Sequence, residues 1–272
     1  MSKDYRSYSL WLDGLAGELA PRPALAGAVA VDVAVVGAGY TGLWTAYYLK
    51  KADPSLRIAI VEKEIAGFGA SGRNGGWCSS YFAASPGTIA REFGRDAAIA
   101  MQRAMFATVD EVGRVVAAEG IDARYHKGGA LTLATSAAQL LSLQAEIDHE
   151  REWGFGDSDY SYLSADETAR RLRVAGCLGA IYSPHCAAVD PARLARGLAD
   201  TVEALGVTIY ERTPALALTP HEVPTPGGLL RADVVVNALE GYAATLPGHA
   251  RDTVPPGVGT SWATSASAGV PS

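Results

Sequence analysis

An excess of basic charge is missing from this 272-residue chain: 23 Lys and Arg face 29 Asp and Glu, for a formal net charge of −6. That balance gives no electrostatic footprint for nucleic acid or an anionic membrane surface. Cysteine is scarce. The three present, Cys78, Cys177 and Cys186, are an odd number with no C-x-x-C pair, so they read as reduced thiols rather than a disulfide framework or a metal site. Long apolar runs are lacking too, since no stretch reaches about eighteen residues free of charge, and a membrane span is not expected. Asp4, Arg6, Asp13 and Glu18 interrupt the first twenty residues, which therefore do not read as a signal peptide. The expectation is a cytoplasmic protein.

What is present is globular: 49% apolar residues, 19% charged and 30 glycines, enough to bury a substantial core in one large or two modest domains. The most informative stretch is Val31 to Gly42. Val31-Asp32-Val33-Ala34-Val35-Val36 is a β-branched apolar run of strand length, followed by Gly37-Ala38-Gly39-Tyr40-Thr41-Gly42. This G-x-G-x-x-G after a strand and before a helix is the turn of a dinucleotide-binding βαβ unit. Gly37 is expected to allow the tight turn, Gly39 to let backbone approach a pyrophosphate, and Gly42 to let the helix sit close to the strand. The helix should run to about Lys51, with its N-terminal N–H groups and positive dipole end toward the phosphates. Arg57 to Val61 reads as the second strand. Glu62 ends it, twenty residues after Gly42, where a carboxylate can accept hydrogen bonds from both ribose hydroxyls, with Lys63 beside it.

A second Gly-rich stretch follows, Ala66-Gly67-Phe68-Gly69-Ala70-Ser71-Gly72-Arg73-Asn74-Gly75-Gly76-Trp77. A nicotinamide enzyme is expected to enter another crossover helix soon after the ribose acid. A loop of small residues carrying one guanidinium and one amide instead suits a flat ligand with phosphates and ring carbonyls, which shifts the reading from NAD to FAD. These two motifs together resemble the flavin-dependent amine and amino-acid oxidoreductases of the D-amino-acid oxidase and glycine oxidase superfamily, in particular its γ-glutamylputrescine oxidase-like branch. The resemblance implies an α/β fold, α+β overall. Its parts would be a Rossmann-like FAD-binding domain with a parallel sheet and an inserted, incomplete substrate domain with a mixed or antiparallel sheet. It implies cofactor contacts at Gly37, Ala38, Gly39, Tyr40, Thr41, Gly42, Glu62, Lys63, Gly69, Ala70, Ser71, Arg73, Asn74, Gly75 and Gly76. It adds a backbone contact to adenine at Ala215 and a close pass of the dinucleotide at Ala238. In the turn from Ala238 to Tyr242, Leu239 and Glu240 replace smaller residues, and a carboxylate there must point away from a pyrophosphate. The implied partners are a small-molecule amine or amino-acid substrate and oxygen or another electron acceptor.

Further along, Pro86 to Glu119 carries one apolar stripe through Ile89, Phe93, Ala97, Met101, Met105, Val109, Val112 and Val116, with Gly94 placed to split it into two helices. Residues 123–126 and 130–134 read as a hairpin joined by Lys127-Gly128-Gly129. Ser136 with Gln139 and Ser164 with Glu167 form capping boxes for two helices. Asp190 caps a helix with Pro191 at its first position, closed by Gly206. Ala232 to Ala238 reads as a buried strand of parallel type. The domain plan is an arm over 1–28, a cofactor domain over 29–85 and 176–250, a partial substrate domain over 86–175, and a disordered tail over 251–272.

No catalytic residue stands out. His126 reads as a surface histidine, and His185 as a loop histidine. The resemblance is expected to run from Tyr8 to Gly248 and stop, as in a C-terminally truncated copy. An NAD(P)-linked dehydrogenase is an alternative weakened by the lack of a second G-x-G-x-x-G, and a non-catalytic dinucleotide-binding fragment is another.

Overall fold

The computed structural model describes residues 3–247, and the expected tail falls outside them. In chain order the elements are α1 (Leu10–Asp13), β1 (Gly27–Val36), α2 (Tyr40–Ala52), β2 (Ile58–Val61), β3 (Trp77–Ser79), α3 (Pro86–Phe93), α4 (Arg95–Ala118), β4 (Ala130–Ala134), α5 (Ala137–Glu152), β5 (Ser161–Ser164), α6 (Ala165–Arg171), β6 (Gly179–Ser183), β7 (Cys186–Ala188), α7 (Pro191–Ala204), β8 (Thr208–Tyr210), β9 (Glu222–Thr225) and β10 (Gly228–Asn237). They form two compact units. Among the described residues, one comprises 3–76, 119–123 and 190–247; the other comprises 77–118 and 124–189.

The first unit is built on a five-stranded sheet in the order β8-β2-β1-β10-β9. β2, β1, β10 and β8 pair in parallel, and only β9 runs antiparallel, against β10. The apolar content of β1 and β2 explains their central place: Ala34, Val35, Val36, Ala59, Ile60 and Val61 are all buried, as continuous apolar strands of a parallel sheet must be. One irregularity sits in β1. Both Asp32 and Val33 donate their N–H groups to the Arg57 carbonyl, at 2.9 and 3.2 Å, which is the mark of a bulge. The α2 and α7 helices lean on each other beside this sheet. Asp190 caps α7 by accepting from the Arg193 N–H, and Gly206 leaves the helix at φ 90°.

Two expectations for this unit change. The strand read as Ala232 to Ala238 starts at Gly228 and follows a tight connection from β9, a hairpin that the Pro226-Gly227 pair makes possible. It is also not buried throughout, because Val234 is 53% exposed while Leu230 and Ala232 are covered.

The second unit holds a three-stranded antiparallel sheet, β4-β6-β5, and a two-stranded one, β3-β7. The expected hairpin of 123–126 with 130–134 is corrected here. β4 pairs instead with β6, from Ala130 opposite Ser183 to Ala134 opposite Gly179, and His126 makes an isolated bridge to Ala188. Arg124 has φ 50°, which bends the chain away from a hairpin path. The pairing of β6 between β4 and β5, and of β7 with β3, also carries residues 176–189 and 77–85 into this unit, so the boundaries differ from those expected at 85 and 176. Gly94, at φ 89°, does divide α3 from α4. Its core gathers Phe106, Trp153 and Phe155 in one cluster and Leu143, Ile147 and Ile181 in another. The Ser164–Glu167 capping box is complete at α6, whereas at α5 the Gln139 carboxamide reaches Thr135 rather than the Ser136 backbone.

Candidate functional site: a Gly-lined cavity at the sheet's carboxyl edge

The parallel strands β1 and β2 end together, because their register sets Val36 opposite Val61. Their carboxyl ends open on a cavity of about 460 Å³ whose wall includes Gly37, Gly39, Tyr40, Thr41, Glu62, Lys63, Gly69, Ala70, Ser71, Asn74, Ala215 and Ala238. A crevice beyond the carboxyl ends of parallel strands is where α/β sheets take ligands.

The glycines earn their places sterically. A side chain at Gly37, whose φ is 108°, would put its Cβ 2.6 Å from the Ala238 carbonyl oxygen, so the turn from β1 passes directly against the end of β10. At Gly42 a Cβ would fall 2.0 Å from the Gly37 carbonyl oxygen, where α2 folds back on the turn it has just left. Gly39 has an ordinary φ of −83°; what it supplies is room, since a Cβ there would stand 3.0 Å from Ser71 Oγ at the cavity wall. Ser71 Oγ itself accepts the Tyr40 N–H at 2.8 Å, tying the second Gly-rich loop to the first turn of α2.

Glu62 is the chemical centre of the wall. Its Oε2 accepts the Ala38 N–H and its Oε1 the Glu64 N–H, each at 2.9 Å. A carboxylate offers about four lone-pair positions, so each oxygen keeps one for a hydroxyl in the cavity. Burial pushes the Glu62 carboxyl above its ordinary range, against the two backbone hydrogen bonds that favour the charged form. A pair of donors arriving from the cavity would satisfy the ionised group. The residues present thus suit an adenosine diphosphate: glycine turns and a helix start for phosphate, a half-used carboxylate for a ribose, and Thr213-Pro214-Ala215 at the wall beside it.

Some residues named from the sequence lie elsewhere. Ala38 and Gly42 stand behind the wall, and Gly75 and Gly76 are outside the cavity lining. Arg73 does not reach into it either. Its guanidinium lies over the Phe68 ring, 4.6 Å from the centroid, and its Nε donates to the Gly69 carbonyl at 3.3 Å. The Asn74 amide is likewise spent on the loop, donating to the Ala70 and Ser71 carbonyls and accepting the Gly76 N–H. Glu240, at φ 48°, is exposed at the cavity's edge. The wall also contains Glu64, Phe68, Leu239, Tyr242 and Leu246, which no spacing rule selects; the Glu64 carboxylate and the rings and chains of the others meet there only through tertiary folding.

In the second unit, His185 stacks on Phe106 with centroids 3.8 Å apart, and its Nε2 lies 3.1 Å from Asp159 Oδ1. His126 makes a backbone bridge to Ala188. Among the described residues no group of three or more His, Cys, Asp or Glu could hold a metal ion, and no helix is long and apolar enough to cross a membrane.

Comparison with known proteins agrees with this geometry. The chain is 30% identical over 230 residues to γ-glutamylputrescine oxidoreductase of Escherichia coli (strain K12), covering 84% of this chain and 53% of that protein. It is 28% identical over 217 residues to glycine oxidase of Bacillus subtilis (strain 168), covering 76% and 53% respectively. Among solved structures, glycine oxidase from Geobacillus kaustophilus superposes with a TM-score of 0.63 at 27% identity over 81% of this chain and 58% of that one. The chain therefore spans about half the length of these relatives. The family profile described as FAD dependent oxidoreductase matches residues 32–271, which carries the likeness past Gly248, where the sequence reading expected it to stop. With that match over most of its length, the chain belongs to the DAO family of FAD-dependent oxidoreductases.

Proposed function

We propose that this chain binds FAD in the Gly-lined cavity and carries the cofactor-holding part of an oxidoreductase acting on an amine or amino acid. The observation that carries the reading is the convergence of both Gly-rich loops and the half-satisfied Glu62 carboxylate on one cavity. Gly37, Gly39, Tyr40 and Thr41 would face the diphosphate, with Ala38 and Gly42 fixing their turn from behind. Glu62 would take the ribose hydroxyls, with Lys63 at the rim. Gly69, Ala70, Ser71 and Asn74 would line the other side of the cofactor, and Ala215 and Ala238 would pass it with their backbones.

When bound, the flavin would supply two-electron chemistry, taking a hydride at N5 from the carbon that bears nitrogen and leaving an imine for water to hydrolyse. The chain's own work is to hold the ribose as a charge-assisted hydrogen-bond acceptor and to close the diphosphate against backbone N–H groups. Oxygen or another acceptor would reoxidise the cofactor, and the second unit would serve the substrate side. Support comes from the relatives, whose names specify γ-glutamylputrescine and glycine as the compounds they oxidise.

Flavin titration tests the reading. Purified protein is expected to show an absorbance band near about 450 nm, on the order of one flavin per chain. Gly39→Val, which fills the space facing Ser71, is expected to abolish that band while the far-UV circular dichroism stays unchanged. Unaltered flavin affinity in Gly39→Val would sink the proposal.

A further inference from the structure

The residues before β1 form an arm whose contacts fall on the cavity's wall. Glu64, in that wall, is held by the arm from two sides: its Oε1 accepts from Lys3 Nζ at 2.7 Å and its Oε2 from the Tyr5 hydroxyl at 3.2 Å. The same residue's N–H is one of the two that fix Glu62. Phe68, also in the wall, is boxed by the arm. Tyr5 and Tyr8 meet it edge-on at centroid distances of 5.6 and 5.2 Å, and the Lys3 ammonium lies 4.5 Å from its centroid. A third link is made by Trp11, whose Nε1–H donates to the Asn74 carbonyl at 2.7 Å. Asn74 in turn braces Ala70 and Ser71, and Ser71 accepts the Tyr40 N–H.

The arm is closed on itself, so it can brace rather than merely trail. Arg6 donates to the carbonyls of Leu12, Asp13 and Leu15 where α1 ends, and Ser9 caps the helix start by accepting the Leu12 N–H. Tyr5 and Leu12 are buried. Burial and the neighbouring Glu64 push the Tyr5 hydroxyl up to about 12, which keeps it a donor at neutral pH.

We propose that the arm from Lys3 to Trp11 is part of the cofactor-binding machinery: a strap that presets Glu64, Phe68 and the Ser71–Asn74 loop, with Tyr5 and Trp11 as positioning residues for the adenosine end. This rests on the FAD reading above. A loop already held in its bound form loses less freedom when the ligand arrives, and that difference appears as affinity. Simple surface packing would stabilise the fold equally with and without ligand.

The test uses the full chain freed of flavin, with Kd measured for FAD and separately for ADP. Tyr5→Phe keeps the ring and removes only the donor, whereas Trp11→Phe removes the indole donor together with one ring of the indole. Each is expected to weaken both ligands roughly three- to tenfold, the effect of one lost hydrogen bond, and the double variant by roughly the product. Thr201→Val serves as control, because it removes a comparable hydrogen bond, to the Gly197 carbonyl within α7, away from the cavity wall. It is expected to leave Kd unchanged whatever its effect on the unliganded Tm. If Tyr5→Phe does not fold, Lys3→Gln at the exposed end of the same Glu64 link replaces it. Wild-type FAD binding with arm variants indistinguishable from Thr201→Val overturns the strap and leaves the FAD reading standing. A loss seen with FAD but not with ADP overturns the assignment to the adenosine end. A wild-type chain that binds neither ligand removes both readings at once.

Discussion

Glu211 in the first unit and Asp159 in the second are both buried carboxylates among cations, and the two are finished differently. In the first unit Glu211 is fully covered and fully used: Oε1 accepts from Arg22, Arg196 and the Ala66 N–H, and Oε2 from the Arg22 N–H. Arg22 reaches on to Glu203 and Asp200, so four separated stretches of chain, at Arg22, Ala66, α7 and Glu211, meet in one network. In the second unit Asp159 has, among the described residues, Arg103 and His185 as side-chain partners, Arg103 is half exposed, and the buried His185 Nδ1 has no hydrogen-bond partner among them. An ion pair removed from water stabilises only when its remaining donors and acceptors are met, so the difference teaches where the fold can bear loss. Glu211 sits one loop from the cavity and is completed; Asp159 belongs to a unit whose described residues contribute nothing to that cavity.

The sharpest way to break this contrast is to remove each acid. Glu211→Ala leaves the part-buried Arg196 guanidinium and the Ala66 and Arg22 N–H groups without their acceptor, while the Arg22 guanidinium keeps Glu203 and Asp200, and it is expected to cost about 3–5 kcal/mol, read as the midpoint shift in urea unfolding. Asp159→Asn keeps one acceptor, and half-exposed Arg103 turns to water, so a cost of about 1–3 kcal/mol is expected. Equal costs would mean that completion of the network around Glu211 adds nothing.

Acidity sharpens the comparison at the cavity itself. Because burial raises the Glu62 carboxyl, the unliganded fold gains from protonated Glu62 at low pH, and that gain is lost as pH rises through the raised value. Ribose hydroxyls favour the ionised form, so FAD affinity is expected to fall by about tenfold per pH unit once the pH drops below it. Glu62→Gln should flatten this dependence, which isothermal titration at a series of pH values would reveal. The smallest effect belongs to the second unit's capping box: Ser164→Ala is expected to cost about 1 kcal/mol in thermal unfolding, with FAD affinity unaffected.

These contrasts also explain what could be read from the sequence. The βαβ core was legible because the parallel strands have no polar face and the turn admits only glycine at Gly37 and Gly42. The helix caps at Ser164 and Asp190 were legible because they are local chemistry. The β4-β6 pairing was not, since about fifty residues separate partners that short strands cannot announce, and a nearby Gly-Gly offered a cheaper hairpin. Within the site, Glu62 follows from spacing and Ser71 from the resemblance carried by the second Gly-rich stretch, yet the engagement of Arg73 with Phe68 depends on a ring brought alongside only by the folded loop. Leu239 and Tyr242 reach the cavity because β10 lies beside β1, a pairing between residues some two hundred positions apart that no local pattern records.

The doubled donation to the Arg57 carbonyl in β1 has a consequence for the chain's tolerance of length change. Before it, odd-numbered Val29 and Val31 face the hydrophobic cluster of the sheet; after it, even-numbered Ala34 and Val36 do. The strand thus carries one surplus residue that shifts its phase by half a pleat. β10 changes face at the same level, with Leu230 and Ala232 inward before it and Val235 after, and the two strands keep one register throughout, so deleting Asp32 alone would slide half of β1 one residue out of step with β10 and remove the ion pair with Arg57. Deleting Val35 would turn Val36 outward as well and swing the glycine turn off its seat, so β1 can change length only if β10 changes with it.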